Sequence, residues 1–147
     1  MTATAPRTRA PAAGRRLGYL MAAAVNGLLV YLLNVSPGWE AVPFLTDDTP
    51  QVLGVVNASL LAGVAANLVY LVRDPPRLRA LGDLVTTAFG LAATVRVWQV
   101  FPLQFEEPGF PWEAVVRVLL AIGIVGSAIA IVTKIVALAS PSSRPRR

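Results

Sequence analysis

The stretch GDLVTTAFGLAATVRVWQVFP, residues 82–102, is long and apolar enough to cross a lipid bilayer, yet it contains Asp83 and Arg96. A transmembrane helix needs about 20 mostly apolar residues, because the hydrocarbon core is about 30 Å thick. Charged side chains are costly in that core, so they normally face other helices, water or lipid headgroups. The stretch therefore predicts a membrane-spanning helix whose two ends are both surrounded by other helices of a bundle.

The composition of the whole chain also indicates lipid as the solvent. The 147 residues are 55% hydrophobic and only 14% charged, whereas a soluble domain has about 25% charged residues. The mean hydropathy is +0.61. We therefore predict an all-α integral membrane protein, and its four transmembrane helices cover about residues 17–35, 50–72, 78–101 and 112–138.

The predicted domain organisation is one transmembrane domain, residues 17–138, between two basic tails, residues 1–16 and 139–147. The first tail is rich in Ala, Thr, Pro and Arg, a composition that favours disorder. Within the transmembrane domain, Thr49 followed by Pro50 predicts an N-cap and a helix start, because proline is favoured at the first helical position.

The distribution of basic residues predicts the orientation. Arginines occur in both tails and between the second and third spans, whereas loops 36–49 and 102–111 contain acidic residues and no Lys or Arg. Because Lys and Arg accumulate in cytoplasmic loops, we predict an up-down-up-down bundle with both termini cytoplasmic. Abundant Arg, Ala and Pro favour a bacterial source, so the expected location is the plasma (inner) membrane.

Four polar residues fall at similar depth near the predicted cytoplasmic side. Asp83 and Arg79 lie four residues apart on one helix, so their side chains share a face. Lys134 and Asn67 lie at a similar depth in the fourth and second spans. We hypothesise a cluster in which Asp83 pairs with Lys134 or Arg79, with Asn67 nearby. We interpret such a pair as one that fixes the topology of the chain. The alternatives are that Asp83 relays a proton or a cation, or that the charged side chains simply extend to the membrane surface.

Two arginines lie at similar depth near the predicted outer side. Arg117 follows Glu113 by four residues, the favourable order for a helical ion pair, and Gln99 follows Arg96 by three. One hypothesis is a site at Arg96, Arg117 and Gln99 that contacts an anion or lipid phosphates. The alternative is that the acidic loops fold onto the arginines and neutralise them.

Glycines lie near the centre of every predicted span, and small residues let helices approach closely in lipid. We expect these positions to pack against other helices within one bundle, rather than to line a pore. The four glycines are Gly27, Gly63, Gly90 and Gly126.

Several classes of chemistry are excluded by residue type. The chain has no Cys and no His, which removes disulfides, thiolate or imidazole metal sites and histidine-based acid–base catalysis. The pairs Asp47-Asp48 and Glu106-Glu107 lack a loop pattern that preorganises a metal ion, so we interpret them as solvated loop charge. The sequence predicts no enzymatic activity, no metal site and no cofactor.

Two function classes are compatible with these observations. The first is a non-catalytic membrane protein that acts through protein or lipid partners, as a subunit, scaffold or assembly factor. The alternative is a small oligomeric channel or transporter that uses Asp83 or the Arg96/Arg117 pair. The expected partners are the bilayer and either another membrane protein or further copies of the chain. Nucleic acid is not expected, because topology accounts for the basic residues.

Overall fold

The structure, a computed structural model, describes residues 11–140. Its α-helices are α1 (Ala12–Asn34), α2 (Pro50–Val72), α3 (Pro76–Val100) and α4 (Trp112–Ala139), and a short 3-10 helix covers Trp39–Ala41. All four α-helices are long and apolar enough to cross a membrane. The prediction of an all-helical chain with four such helices is confirmed, and these helices indicate a multi-pass membrane protein.

The start of α1 differs from the predicted boundary. The helix begins at Ala12 after Pro11, so residues 12–16, which we had assigned to the first tail, are helical. Alanine and arginine are good helix formers, and Arg15 also has a partner in the turn between α2 and α3. Residues 1–10 and 141–147, which contain most of the two predicted tails, lie outside the described residues.

Thr49 occupies the N-cap position of α2, as predicted, but its side chain does not cap the helix. The buried hydroxyl of Thr49 donates to the carbonyl of Thr46 at 2.6 Å instead. The backbone N–H of Thr49 also donates to the Thr46 carbonyl, at 2.9 Å. The helix start is therefore set by this turn and by Pro50, which has no N–H to satisfy.

The helices form an open row. Within the described residues α1 contacts α2, α2 contacts α3, and α3 contacts α4, whereas α1 and α4 do not contact each other. Within residues 11–140 few apolar side chains of the helices are buried, and α4 contributes none of them; they are Ala23, Val52, Tyr70 and Ala93. In water such an arrangement would expose most of its apolar surface, but lipid tails solvate that surface without penalty.

A pair of asparagines joins α1 to α2. The amide of Asn34 donates to Asn57 Oδ1 at 2.9 Å, and the amide of Asn57 donates to Asn34 Oδ1 at 2.8 Å. Polar side chains that bond across two helices in lipid contribute about 0.6 kcal/mol on average. The two bonds require one relative position of the helices, so they help to set the register of α1 on α2.

The four central glycines divide into two pairs. A Cβ atom added at Gly63 would lie 2.8 Å from the amide nitrogen of Asn26, and one added at Gly90 would lie 3.9 Å from Ser59 Oγ. These two positions thus face a neighbouring helix. A Cβ atom added at Gly27 or Gly126 meets no atom of another described residue within 4 Å. A packing role for these two glycines stays a prediction.

The glycine with the closest neighbour is Gly82, which is not one of the four central glycines. A Cβ atom added at Gly82 of α3 would collide with the hydroxyl of Tyr70 in α2 and would lie 2.8 Å from ring atom Cζ. Tyr70 is buried and its hydroxyl is hydrogen-bonded, so its ring has little freedom to move away. Gly82 is therefore the residue that allows α2 and α3 to approach each other around Tyr70.

We predict that Gly82→Ala lowers the thermal stability of the protein, while Gly27→Ala leaves it unchanged or raises it. Overpacking typically costs about 1–3 kcal/mol. Because the added Cβ would meet a buried, hydrogen-bonded ring, we expect a cost above the gain in helix propensity of about 1 kcal/mol that alanine brings. Gly27→Ala brings the same propensity gain without a collision. Melting temperatures of both variants in one detergent test this, and equal values would show that the α2–α3 contact is looser than the structure indicates.

Candidate functional site

Polar side chains collect at the two ends of the row. The turn end consists of the start of α1, the turn at residues 73–75, and the parts of α3 and α4 beside them. The loop end consists of residues 35–49 and 101–111. The two loops pack together there, since Thr46 N–H donates to the Pro102 carbonyl at 3.0 Å and Gln104 N–H donates to the Phe44 carbonyl at 2.9 Å.

Asp74 is the centre of the turn end. Its carboxylate accepts hydrogen bonds from Arg15 Nε at 3.2 Å and from the hydroxyl of Tyr19 at 3.1 Å. Arg79 Nε lies 2.8 Å from Asp74 Oδ1, in an ion pair that lacks hydrogen-bond geometry. Because Arg15 belongs to α1 and Arg79 to α3, a single carboxylate connects two helices with the turn between α2 and α3.

Tyr70 extends this network toward the membrane interior. Its hydroxyl lies 3.1 Å from the Arg79 carbonyl and 3.1 Å from Asp83 Oδ1, and it can donate to either oxygen. Its ring packs edge-on against Tyr19, with 5.4 Å between ring centroids. A buried hydroxyl without a partner is costly, so these contacts hold Tyr70 in one orientation between α1 and α3.

Asp83 and Lys134 are brought together as the sequence suggested. Lys134 Nζ lies 4.0 Å from Asp83 Oδ2, and the two side chains are 34% and 51% exposed. This distance is at the limit for an ion pair, and partial exposure weakens it further. The pair joins α3 to α4, but it holds the helices together less firmly than Asp74 does.

The other two members of the predicted inner cluster make different contacts. Arg79 is paired with Asp74, and the Tyr70 hydroxyl lies between the Arg79 carbonyl and Asp83. The amide of Asn67 donates to the Gly63 carbonyl of its own helix at 2.8 Å. The structure thus places Asp83 beside Lys134 and Tyr70, with Arg79 one step away, while Asn67 bonds within α2.

Sequence reasoning missed the residues at the centre of the turn end. Asp74 precedes two prolines in the turn, and Tyr19 and Tyr70 fall inside predicted spans, so nothing in the hydropathy pattern distinguishes these three residues. One signal was present: Asp74 is the only acidic residue in a turn otherwise flanked by arginines. A single carboxylate among several guanidinium groups is expected to pair with more than one of them.

At the loop end, Arg117 is neutralised locally. Its Nε lies 3.1 Å from Glu113 Oε1, one helical turn earlier. Its guanidinium group also lies 4.1 Å from the ring centroid of Phe101 and 5.7 Å from that of Trp98. Phe101 ends α3 with φ of 46°, a left-handed conformation that is unfavourable for a residue with a side chain. The cation–π contact with Arg117 offsets part of that cost.

Arg96 is less completely paired than Arg117. Its Nε donates to the Gln51 carbonyl at the start of α2, at 3.4 Å, and its side chain is exposed. Gln99 is also exposed. Of the predicted outer site, Arg117 has a carboxylate partner, whereas the bond of Arg96 is to a backbone carbonyl of α2. The hypothesis of an anion or phosphate contact at Arg96 and Gln99 stays a prediction.

The chemistry available at both ends is that of ion pairs and hydrogen bonds. Within residues 11–140 no three Asp or Glu side chains are grouped so that they could hold a metal ion. Comparisons of the chain with protein-family models, with curated proteins and with solved structures find no match. The functional argument therefore has to come from the arrangement of the helices and from their polar contacts.

We predict that Asp74→Asn destabilises the protein, with a melting temperature several degrees below that of the original chain. The substitution leaves two guanidinium groups in contact with a neutral amide, and a hydrogen bond to a charged partner is worth about twice a neutral one. Asp47→Asn is the matched control, because Asp47 is an exposed loop residue at the other end of the row. Equal melting temperatures for the two variants would contradict the central role of Asp74.

Proposed function

We propose that the chain is a small polytopic membrane protein without catalytic activity that acts through protein or lipid partners, as a subunit, scaffold or assembly factor. The observation that supports this proposal most is the open row of helices. Among the helices of residues 11–140, α4 packs against α3 alone, and it contains no buried residue. In a closed bundle α4 would also contact α1, and here both of these helices keep a free lateral face.

The glycines that lack neighbours support the same proposal. Gly126 is an exposed position of α4, and Gly27 faces open space on α1. Small residues are favoured where one membrane helix packs closely on another. We propose that these two positions accept helices of a partner protein, whereas Gly63 and Gly90 serve contacts within the chain.

We further propose that the protein lies in the plasma (inner) membrane of a bacterium with its termini in the cytoplasm. The contacts Tyr70–Gly82 and Ser59–Gly90 support an antiparallel α2–α3 pair and an up-down-up-down course of the chain. Arginines occur at the turn end, whereas the two loops of the loop end contain no Lys or Arg. The positive-inside rule then assigns the turn end to the cytoplasm.

The orientation can be tested with single cysteines, because the chain has none of its own. Ser36 at the loop end and Ser140 at the end of α4 are both exposed, so Ser36→Cys and Ser140→Cys are matched substitutions. We expect a membrane-impermeant maleimide to label Ser36→Cys in intact cells, and Ser140→Cys only after the membrane is permeabilised. The reverse pattern would overturn the proposed orientation.

The alternative function is a small oligomeric channel or transporter that uses Asp83 or the Arg96/Arg117 pair. One observation favours it: the Asp83 carboxylate lies within α3, is half exposed, and approaches Lys134 only to 4.0 Å. Such a carboxylate could exchange a proton or a cation if further copies of the chain enclosed it. The Arg96/Arg117 form of this alternative is weaker, because Glu113 already neutralises Arg117.

Native mass spectrometry after gentle detergent extraction separates the two functions. We expect a complex that contains a different membrane protein, and we expect Gly126→Leu to release that partner. Gly54→Leu is the matched control, because Gly54 is also open but lies on α2.

A homo-oligomer would instead favour the channel or transporter. In that case ion flux into proteoliposomes should fall with Asp83→Asn or Arg96→Gln. A monomer that carries only lipid would contradict a protein partner, and a partner complex that Gly126→Leu leaves intact would contradict the assigned face of α4.

A further inference from the structure

A cavity of about 460 Å³ lies at the loop end, where the α1–α2 loop meets the α3–α4 loop. Its size is within the range of about 300–1,000 Å³ that is typical of small-molecule sites. Three aromatic residues and two carboxylates line it: Phe44, Phe105, Trp112, Glu106 and Glu107. Both loops contribute to the lining, so the cavity depends on their packing against each other.

The aromatic residues form a continuous wall. The rings of Phe44 and Phe105 are stacked with 6.0 Å between centroids and 21° between planes. The ring of Trp112 lies 6.3 Å from that of Phe105. Phe44 and Trp112 remain 44% and 41% exposed, so the wall has not been filled by other side chains of the described chain. Aromatic rings attract cations to their faces, and they also offer apolar contact to methyl groups.

The charge of the cavity has one sign. Glu106 and Glu107 are exposed and line it, and of the described residues that form its walls none is Lys or Arg. The two loops that build it contain no Lys or Arg either. An anionic ligand would meet carboxylates without a compensating cation. A metal ion is also a poor occupant, because Ca²⁺ takes about six to eight oxygen ligands at close range, whereas this wall is largely aromatic.

We propose that this cavity binds an organic cation, an alkylated ammonium group whose methyl groups contact Phe44, Phe105 and Trp112 while Glu106 and Glu107 supply the opposite charge. The group can come from a free amphiphilic cation or from the choline headgroup of a lipid, since both present the same chemistry. The cavity belongs to this chain alone, so the proposal does not depend on the partner-mediated function proposed above.

Binding can be followed by the fluorescence of Trp112. The chain has three tryptophans, and the substitutions Trp39→Phe and Trp98→Phe leave the one that lines the cavity. In an uncharged detergent, hexyltrimethylammonium should change the emission of Trp112 in a saturable manner. Hexyl sulfate has the same chain with the opposite charge and should produce no saturable change.

Charge-removal variants identify the site. Glu106→Gln combined with Glu107→Gln should weaken the binding of hexyltrimethylammonium about tenfold, equivalent to about 1.4 kcal/mol. Glu40→Gln combined with Asp48→Asn removes the same charge from exposed loop positions that do not line the cavity, and should leave the affinity within about twofold, because exposed charges at a distance are screened by salt. Unchanged emission of the ligand-free variants verifies that the loops remain folded.

Short-chain phosphatidylcholine and phosphatidylglycerol distinguish the two sources of the cation. Competition by phosphatidylcholine alone assigns the cavity to a lipid headgroup, whereas no competition by either lipid assigns it to a free organic cation. The proposal is overturned if hexyl sulfate binds as well as hexyltrimethylammonium. It is equally overturned if the Glu106/Glu107 variant binds as tightly as the original chain.

Discussion

A polar group that enters a bilayer has to find its hydrogen-bond partner within the protein, and the rest of this structure depends on that constraint. Several polar side chains meet it inside their own helix. Thr87 donates to the Asp83 carbonyl, Thr94 to the Gly90 carbonyl and Asn67 to the Gly63 carbonyl. Such bonds satisfy the hydrogen-bonding groups of the side chain, but they do not determine which other helix packs beside that helix. The arrangement of the row is therefore set by the few groups that bond across helices.

These cross-helix groups occur mainly where α1, α2 and α3 meet. Asn34 and Asn57 bond to each other near the loop end. At the turn end, Tyr70 contacts α3, and Asp74 connects α1 to α3. Each contact specifies a relative position of two helices, which apolar packing in lipid specifies only weakly. Among the described residues, the contacts that charged side chains make between α3 and α4 are the Asp83–Lys134 pair at 4.0 Å and the cation–π contact of Arg117 with Trp98. Both contacts are weak, so α4 is the helix that they hold least tightly.

The sequence predicts depth in the membrane better than it predicts rotation about a helix axis. The four helices follow from apolar length, and Asp83 and Lys134 were grouped because they lie at the same depth. Hydropathy does not show which way a residue faces, so it could not separate Gly63, which lies against Asn26, from Gly27, which faces open space. The same limit concealed Tyr70 and Gly82, whose contact is evident only when α2 and α3 are side by side. The start of α1 was missed because the partner of Arg15 is distant in sequence.

The turn end and the loop end differ in the sign of the charge that remains in excess, and α4 runs from one end to the other. At the turn end one carboxylate, Asp74, is shared by two arginines, whereas at the loop end Glu113 neutralises Arg117 and the pair Glu106-Glu107 has no basic residue in its own loop. Trp112 is both the first residue of α4 and part of the aromatic cavity. A ligand in that cavity and a partner helix along α4 would therefore act on the same, least tightly held element. Because linked equilibria are reciprocal, an occupant that fixes the start of α4 would also change the affinity of α4 for the partner helix that we propose.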